Sequence, residues 1–180
     1  MLVYEERYRW TQTSTTILIG CGMFMIIGVL AGSPRSSVVL QVLLVAVSGC
    51  GAFFDVLYPA SRKVALRVDA SGITLGGTPW RHKATSRVIP WHEVQGVLLW
   101  QRAFGIRYLG VERTDEAPPL SPGGTGRADR TLYLSADPQV PPLTLAAGAT
   151  RGMVAFSVDD ARLSEAITHY APTVDLVDLG

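Results

Sequence analysis

Charge is scarce in this chain, and unevenly so. Only 17% of its 180 residues are Asp, Glu, Lys or Arg, against 48% hydrophobic, and the shortfall lies almost wholly before residue 60. Cysteine is nearly absent. The two present, Cys21 and Cys50, both sit inside apolar runs, which excludes a disulfide framework and a thiolate metal site. Histidine is just as sparse: His82, His92 and His169 are scattered, with no H-x-x-x-H pair, so no metal centre is expected. Neither sign of charge is in surplus. The formal net charge is +1 and the part beyond residue 60 is near balance, whereas a nucleic-acid binder carries a basic stripe or a strongly positive domain. Serine nucleophiles lack their context too, since Ser71-Gly72 and Ser121-Pro122-Gly123-Gly124 are not G-x-S-x-G. Gly123-Gly124-Thr125-Gly126 has no following Lys-Ser/Thr and is no phosphate cradle. No enzymatic activity, cofactor or nucleic-acid partner is therefore expected.

What is present instead is two long hydrophobic runs. Residues 15–32, TTILIGCGMFMIIGVLAG, contain no charge, and residues 38–57, VVLQVLLVAVSGCGAFFDVL, contain only Asp55. Each approaches the roughly 20 residues needed to cross a hydrocarbon core ~30 Å thick. The link between them, SPRSS at 33–37, is short and contains a proline, so the two spans predict an antiparallel transmembrane hairpin. A cleaved signal peptide fits less well. Glu5 and Glu6 stand beside Arg7 and Arg9, no A-x-A-like site follows cleanly, and a second span comes almost at once. Tyr8, Trp10 and Tyr58 flank the spans where interfacial aromatics belong. Arg7 and Arg9 before the hairpin, and Arg62, Lys63 and Arg67 after it, outweigh Arg35 in the link. The positive-inside rule then puts both termini in the cytoplasm of a multi-pass protein of the bacterial inner (cell) membrane.

Within the spans, Gly20-Cys21-Gly22 and Gly49-Cys50-Gly51 lie at similar distances from the link, and Gly28 and Gly32 form a G-x-x-x-G. Small residues let helix backbones approach, so these positions are expected to pack the hairpin together. Asp55, near the end of its span, reads as a snorkelling or capping charge.

Beyond the anchor the pattern changes to short alternating runs. Candidate strands are 63–69, 73–76, 87–91, 94–101, 106–113, 131–136, 142–146 and 153–158, with Ala70-Ser71-Gly72 turning the first hairpin. Residues 114–130 read as a long loop. Ser157 and Asp160 signal a helix start, and Leu163, Ala166, Ile167 and Tyr170 then follow at i, i+3, i+4 and i+7. They predict a helix of about three turns that ends near Pro172 and covers the sheets with one face. The expected division is an N-terminal segment with the hairpin over 1–60, a β domain with its helix over 61–172, and a frayed or loosely docked tail over 173–180.

The two spans, VALRVDASGITL (64–75), RVIPWHEVQGV (87–97) and DDARLSEAI (159–167) together resemble bacterial pleckstrin-homology-like (PH-like) membrane proteins. The actinobacterial group of the low-molecular-weight protein antigen 6 type is the most similar. Ile89-Pro90-Trp91 followed by Glu93-Val94 is the sharpest piece of that resemblance. It implies a bent barrel of about seven strands capped by the C-terminal helix, and a binding platform for lipids, peptides or proteins; fold alone does not choose between these. The leading expectation is a non-enzymatic, membrane-anchored module that binds a protein partner or itself, where tethering raises effective concentration. The alternative is a sensor of anionic lipid that uses Arg81, His82, Lys83 and Arg87, the one basic cluster. The Asp69-Ala70-Ser71-Gly72 hairpin, where phosphoinositide-binding PH domains place their phosphate contacts, has no basic residue. Trp80, Trp91 and Trp100 read as packing residues rather than a ligand cage.

Overall fold

An apolar run satisfies its backbone polar groups in a dry environment only by pairing them within itself, so both long runs become helices. In the computed structural model, which describes residues 3–30, 38–101, 106–114, 116–117 and 149–179, α1 spans Gln12–Leu30 and α2 spans Val38–Ser61. Thr11 and Ser14 cap the start of α1 reciprocally: the Ser14 N–H donates to Thr11 Oγ1 at 3.1 Å and the Thr11 N–H to Ser14 Oγ at 3.3 Å. Pro59 enters the last turn of α2, and Arg62, at φ 49°, ends the helix in the left-handed conformation. The helices run antiparallel. A Cβ at Gly28 would lie 3.5 Å from Val45, and one at Gly51 would lie 3.2 Å from the Cys21 sulfur, so ascending positions of α1 meet descending positions of α2. Only 11% of the apolar stretch of α1 and 17% of that of α2 is buried, unlike a soluble core helix, and both helices are long and apolar enough to cross a membrane.

Among the described residues, two four-stranded sheets accompany the helices. The first is antiparallel throughout, in the order β1 (Tyr4–Arg7), β2 (Val64–Asp69), β3 (Gly72–Leu75), β4 (Arg87–Ile89). The second has the order β7 (Thr150–Gly152), β6 (Arg107–Arg113), β5 (Val94–Gln101), β8 (Asp175–Asp178), with β8 parallel to β5. A short helix α3 (His82–Thr85) lies between β3 and β4, and α4 (Asp160–Tyr170) precedes β8. Leu66, Ile73, Leu75 and Ile89 of one sheet and Val97, Leu99, Leu109 and Val111 of the other bury into a single core. Leu163, Ala166 and Ile167 of α4 join it, and Tyr170 packs at its margin, as the helical spacing predicts. Each Leu, Ile or Val so enclosed stabilises the fold by about 1.5–3 kcal/mol relative to exposure.

The β2–β3 hairpin turns on Gly72, whose φ of 135° disfavours any side chain; a Cβ there would stand 2.1 Å from the Ile89 carbonyl oxygen. Asp69 accepts the Ser71 N–H at 2.8 Å, and the Trp91 indole donates to the Asp69 carbonyl at 2.8 Å, pinning the hairpin to the turn after β4.

Several expectations need correction. Tyr4–Arg7 carried no role in the sheets, yet β1 pairs with β2 and makes residues ahead of α1 part of the β region. The tail from 173, expected to be frayed or loosely docked, forms an ordered strand, β8, against β5. Residues 153–158 are no strand. The strand is Thr150–Gly152, and the stretch after it is tied to the residues before α1: the Arg9 N–H donates to the Ala155 carbonyl at 2.7 Å, and Thr11 Oγ1 donates to the Val154 carbonyl. The cap of α4 is Asp159, which accepts the Arg162 N–H at 3.2 Å, rather than Ser157 or Asp160. Among the described residues the two sheets stay separate, so a closed barrel is not shown. The strands expected at 131–136 and 142–146, and most of the 114–130 loop, lie outside the described residues.

Candidate functional site

Chain direction decides what lies beside the helices. α2 ends at Ser61 and β2 begins at Val64, so β2 leads away from the helix end, and antiparallel β3 brings the chain back to it. The Asp69–Gly72 hairpin is thereby at the far end of β2, and residues 76–86 return to α2. There Trp80 packs on Phe54, with ring centroids 5.2 Å apart, and on Tyr58 at 6.2 Å. The aromatic contacts continue from Tyr58 to Tyr8 at 5.1 Å and from Tyr8 to Phe156 at 6.0 Å. Trp80 is nevertheless 54% exposed, so it stands beside the helix end rather than in the core. Two other indoles do pack inward: Trp91 stacks on Tyr170 and the buried Trp100 on Tyr108.

Around Trp80 the fold gathers basic side chains that the sequence keeps apart. Arg7, Arg62, Lys63, Arg81 and Lys83 line one shallow groove with it. The four cluster residues differ in freedom. Arg81 and Lys83 are exposed and form no ion pair among the described residues. His82 is a structural tie, its Nε2 2.8 Å from the Val64 carbonyl and its Nδ1 3.3 Å from Ser86 Oγ. Arg87 is half-buried and donates to the Ala84 and Ser86 carbonyls at 3.2 and 3.1 Å. Lys63 donates to the Pro79 carbonyl, which draws the loop onto the end of α2. Sequence reasoning missed Arg7, Arg62 and Lys63 as partners of Arg81 and Lys83. The signal was present in the return of an antiparallel hairpin to its starting end.

The helix-packing positions separate as well. Gly28 abuts Val45 and Leu44, a Cβ at Gly49 would lie 3.7 Å from Met25 Cε, and Gly51 receives the Cys21 sulfur. A Cβ at Gly20 or Gly22 would meet nothing within 4 Å, and Cys50 is exposed, so the two triplets meet through Cys21 over Gly51 rather than cysteine to cysteine. Gly32 lies outside the described residues.

Asp55 overturns its reading as a snorkelling or capping charge. It is 7% exposed, and its Oδ2 is enclosed with no hydrogen-bond partner. It lines a cavity of about 350 Å³ where the helix ends meet the sheets. His92 is exposed on a turn and His169 packs edge-on against Tyr170 at 4.8 Å, while the Glu93–Arg113 ion pair ties that turn to β6. Among the described residues no group of His, Cys, Asp or Glu is placed to hold a metal ion. Comparison with family models, with curated proteins and with solved structures found no match to this chain.

Proposed function

We propose that this chain is a non-enzymatic, membrane-anchored binding module, PH-like in its β region, which rests on an anionic bilayer surface through the Arg81–Arg87 loop. One observation carries the reading: Trp80 is held on the aromatic end of α2 with Arg62, Arg81 and Lys83 around it. An indole beside a membrane helix end suits the headgroup region, where its apolar body and polar N–H both find partners. Each basic side chain within a Debye length of an anionic leaflet gains about 1 kcal/mol. Arg7, Arg9, Arg62, Lys63 and Arg67 at the sheet-side ends of the helices favour the cytoplasmic face of a bacterial cell membrane for that end.

The test uses the intact chain in lipid nanodiscs with neutral or anionic lipid, read by amide hydrogen exchange over residues 76–86. Anionic lipid should slow exchange in the loop, and Arg81→Glu with Lys83→Glu should remove the slowing, as should high salt. Equal exchange in both lipids, or an unaltered double variant, refutes the lipid reading. A protein-binding or self-assembling scaffold is the second reading. It is favoured by Val88, 56% exposed on β4, which among the described residues is the last strand of its sheet, where an added strand can pair. Exchange protection confined to 87–89 on raising protein concentration would favour that reading.

A further inference from the structure

A carboxylate on an apolar helix is costly, and side chains of this kind face the interior of the bundle or a cavity and mark a ligand path. Asp55 meets that description closely. It is nine-tenths buried, one of its oxygens has no partner, and it borders a partly open cavity of about 350 Å³. Ligand sites fall in the range of about 300–1,000 Å³ and are mostly apolar with a few placed polar groups. The other polar groups around this cavity are engaged within the protein. The Tyr8 hydroxyl donates to the Gly76 and Gly77 carbonyls at 3.4 and 3.2 Å, and Thr85 Oγ1 accepts the Thr78 N–H at 2.8 Å while donating to the Arg81 carbonyl at 2.9 Å. Among the described residues no Lys, Arg or His lines the space, and none of them gives Asp55 a counter-ion there.

The geometry points to a binding site for an amphiphile that carries a primary ammonium group, with the ammonium on Asp55 and the apolar body toward the bilayer. An ionised carboxylate is acceptor-only, so its complement is a donor, and a buried one calls for a cation. The rings of Tyr8, Phe54, Tyr58 and Phe156 border the same cavity, and aromatic faces attract ammonium by their quadrupole. Ile17, Val154 and Ala155 supply apolar wall. Phe54 both lines the cavity and is 45% exposed on the outer face of α2, so the rim opens on the helix surface that faces hydrocarbon. The ammonium can come from a lipid headgroup, as in phosphatidylethanolamine, or from a free long-chain amine. The site is separate from the basic groove, and the two share only the placement of the helices in a bilayer.

The experiment measures binding of dodecylamine, and of dodecanol as the uncharged control, to the intact chain in non-ionic detergent by tryptophan fluorescence; Trp80 packs on Phe54, which lines the cavity. Dodecylamine should bind about tenfold or more tightly to the natural chain than to Asp55→Asn, the worth of one hydrogen bond to a charged group. Asp55→Glu should retain most of that affinity. Dodecanol bound as tightly as dodecylamine, or Asp55→Asn bound as tightly as the natural chain, overturns the proposal. Should Asp55→Asn fail to fold, Ile17→Trp fills the cavity from α1 without touching the carboxylate; loss of amine binding with an unchanged melting temperature supports the site, and retained binding overturns it. Native mass spectrometry from mixed phosphatidylethanolamine and phosphatidylcholine then names the source. Selective retention of phosphatidylethanolamine assigns the lipid amine, dodecylamine retained alone assigns a free amine, and retention of neither overturns the proposal.

Discussion

Replacing Gly72 with alanine should strongly destabilise the first sheet, and the size of the effect follows from two independent strains. At φ 135° the backbone is in a region that a residue with a Cβ tolerates only at about 1–3 kcal/mol. The added methyl would also stand 2.1 Å from the Ile89 carbonyl oxygen and 2.8 Å from Pro90 Cα, both rigid backbone atoms, so β4 has to retreat from β3. The Ile73↔Ile89 pairing is the one nearest the clash, and each hydrogen bond lost there removes about 1 kcal/mol. Together these give roughly 2–5 kcal/mol, a large part of the 5–15 kcal/mol by which a domain is stable. The melting temperature of the intact chain in detergent should fall by roughly 10 °C or more. The fluorescence of Trp91, whose indole is bonded to the Asp69 carbonyl across this turn, reports the loss. Ser71→Ala removes only the hydroxyl bond from Ser71 Oγ to Asp69 Oδ1, keeps the backbone one, and should lower stability by about 1 kcal/mol. Gly72→Ala indistinguishable from Ser71→Ala would refute the account of the turn.

Gly51→Cys should form a disulfide with Cys21 under mild oxidation, because a Cβ at position 51 lies 3.2 Å from the Cys21 sulfur, whereas the exposed Cys50 should not; the readout is protease-cleaved fragments held together on non-reducing gels. Burial raises the Tyr4 phenol from 10.0 to about 12, with Glu6 adding to the rise, so the neutral form belongs to the fold; its stabilisation is intact below pH 10 and is lost as pH climbs toward 12. Tyr4→Phe should flatten that alkaline slope, as followed by melting temperature against pH, and an unchanged slope would assign it elsewhere.

Much of the architecture is legible from periodicity, because each legible element faces one kind of neighbour. The helices α1 and α2 are apolar all round, β2, β3, β5 and β6 present buried Leu, Ile and Val, and α4 carries Leu163, Ala166 and Ile167 on one face. What escaped reading depends on partners far along the chain. β1 is Tyr-Glu-Glu-Arg, which reads as the charged flank of a membrane helix, and only pairing with β2 makes it a strand. β8 carries Asp at both ends and is a strand through its parallel contact with β5. In the site, the identities of Arg81 and Lys83 were readable while their grouping with Arg62 and Lys63 needed the hairpin to return. Asp55 was readable as an anomaly, but its burial needed Tyr8, Phe156 and the 76–77 turn to converge on it from three separate segments.

The pairing of β1 with β2 constrains how the chain is assembled. Tyr4 meets Val68 and Arg7 meets Val64, with both helices strung between the two strands. For helices that cross a bilayer, this clasp forms only when the residues before α1 and those after α2 emerge on one side. A chain whose second helix failed to insert would leave β1 and β2 on opposite faces, and the first sheet would be left without its outer strand. In a chain so inserted, completion of the sheet would act as a check on insertion: β1, synthesised first, would wait unpaired until the hairpin is seated, and a mis-threaded chain would expose the unpaired edge of β2 to proteolysis.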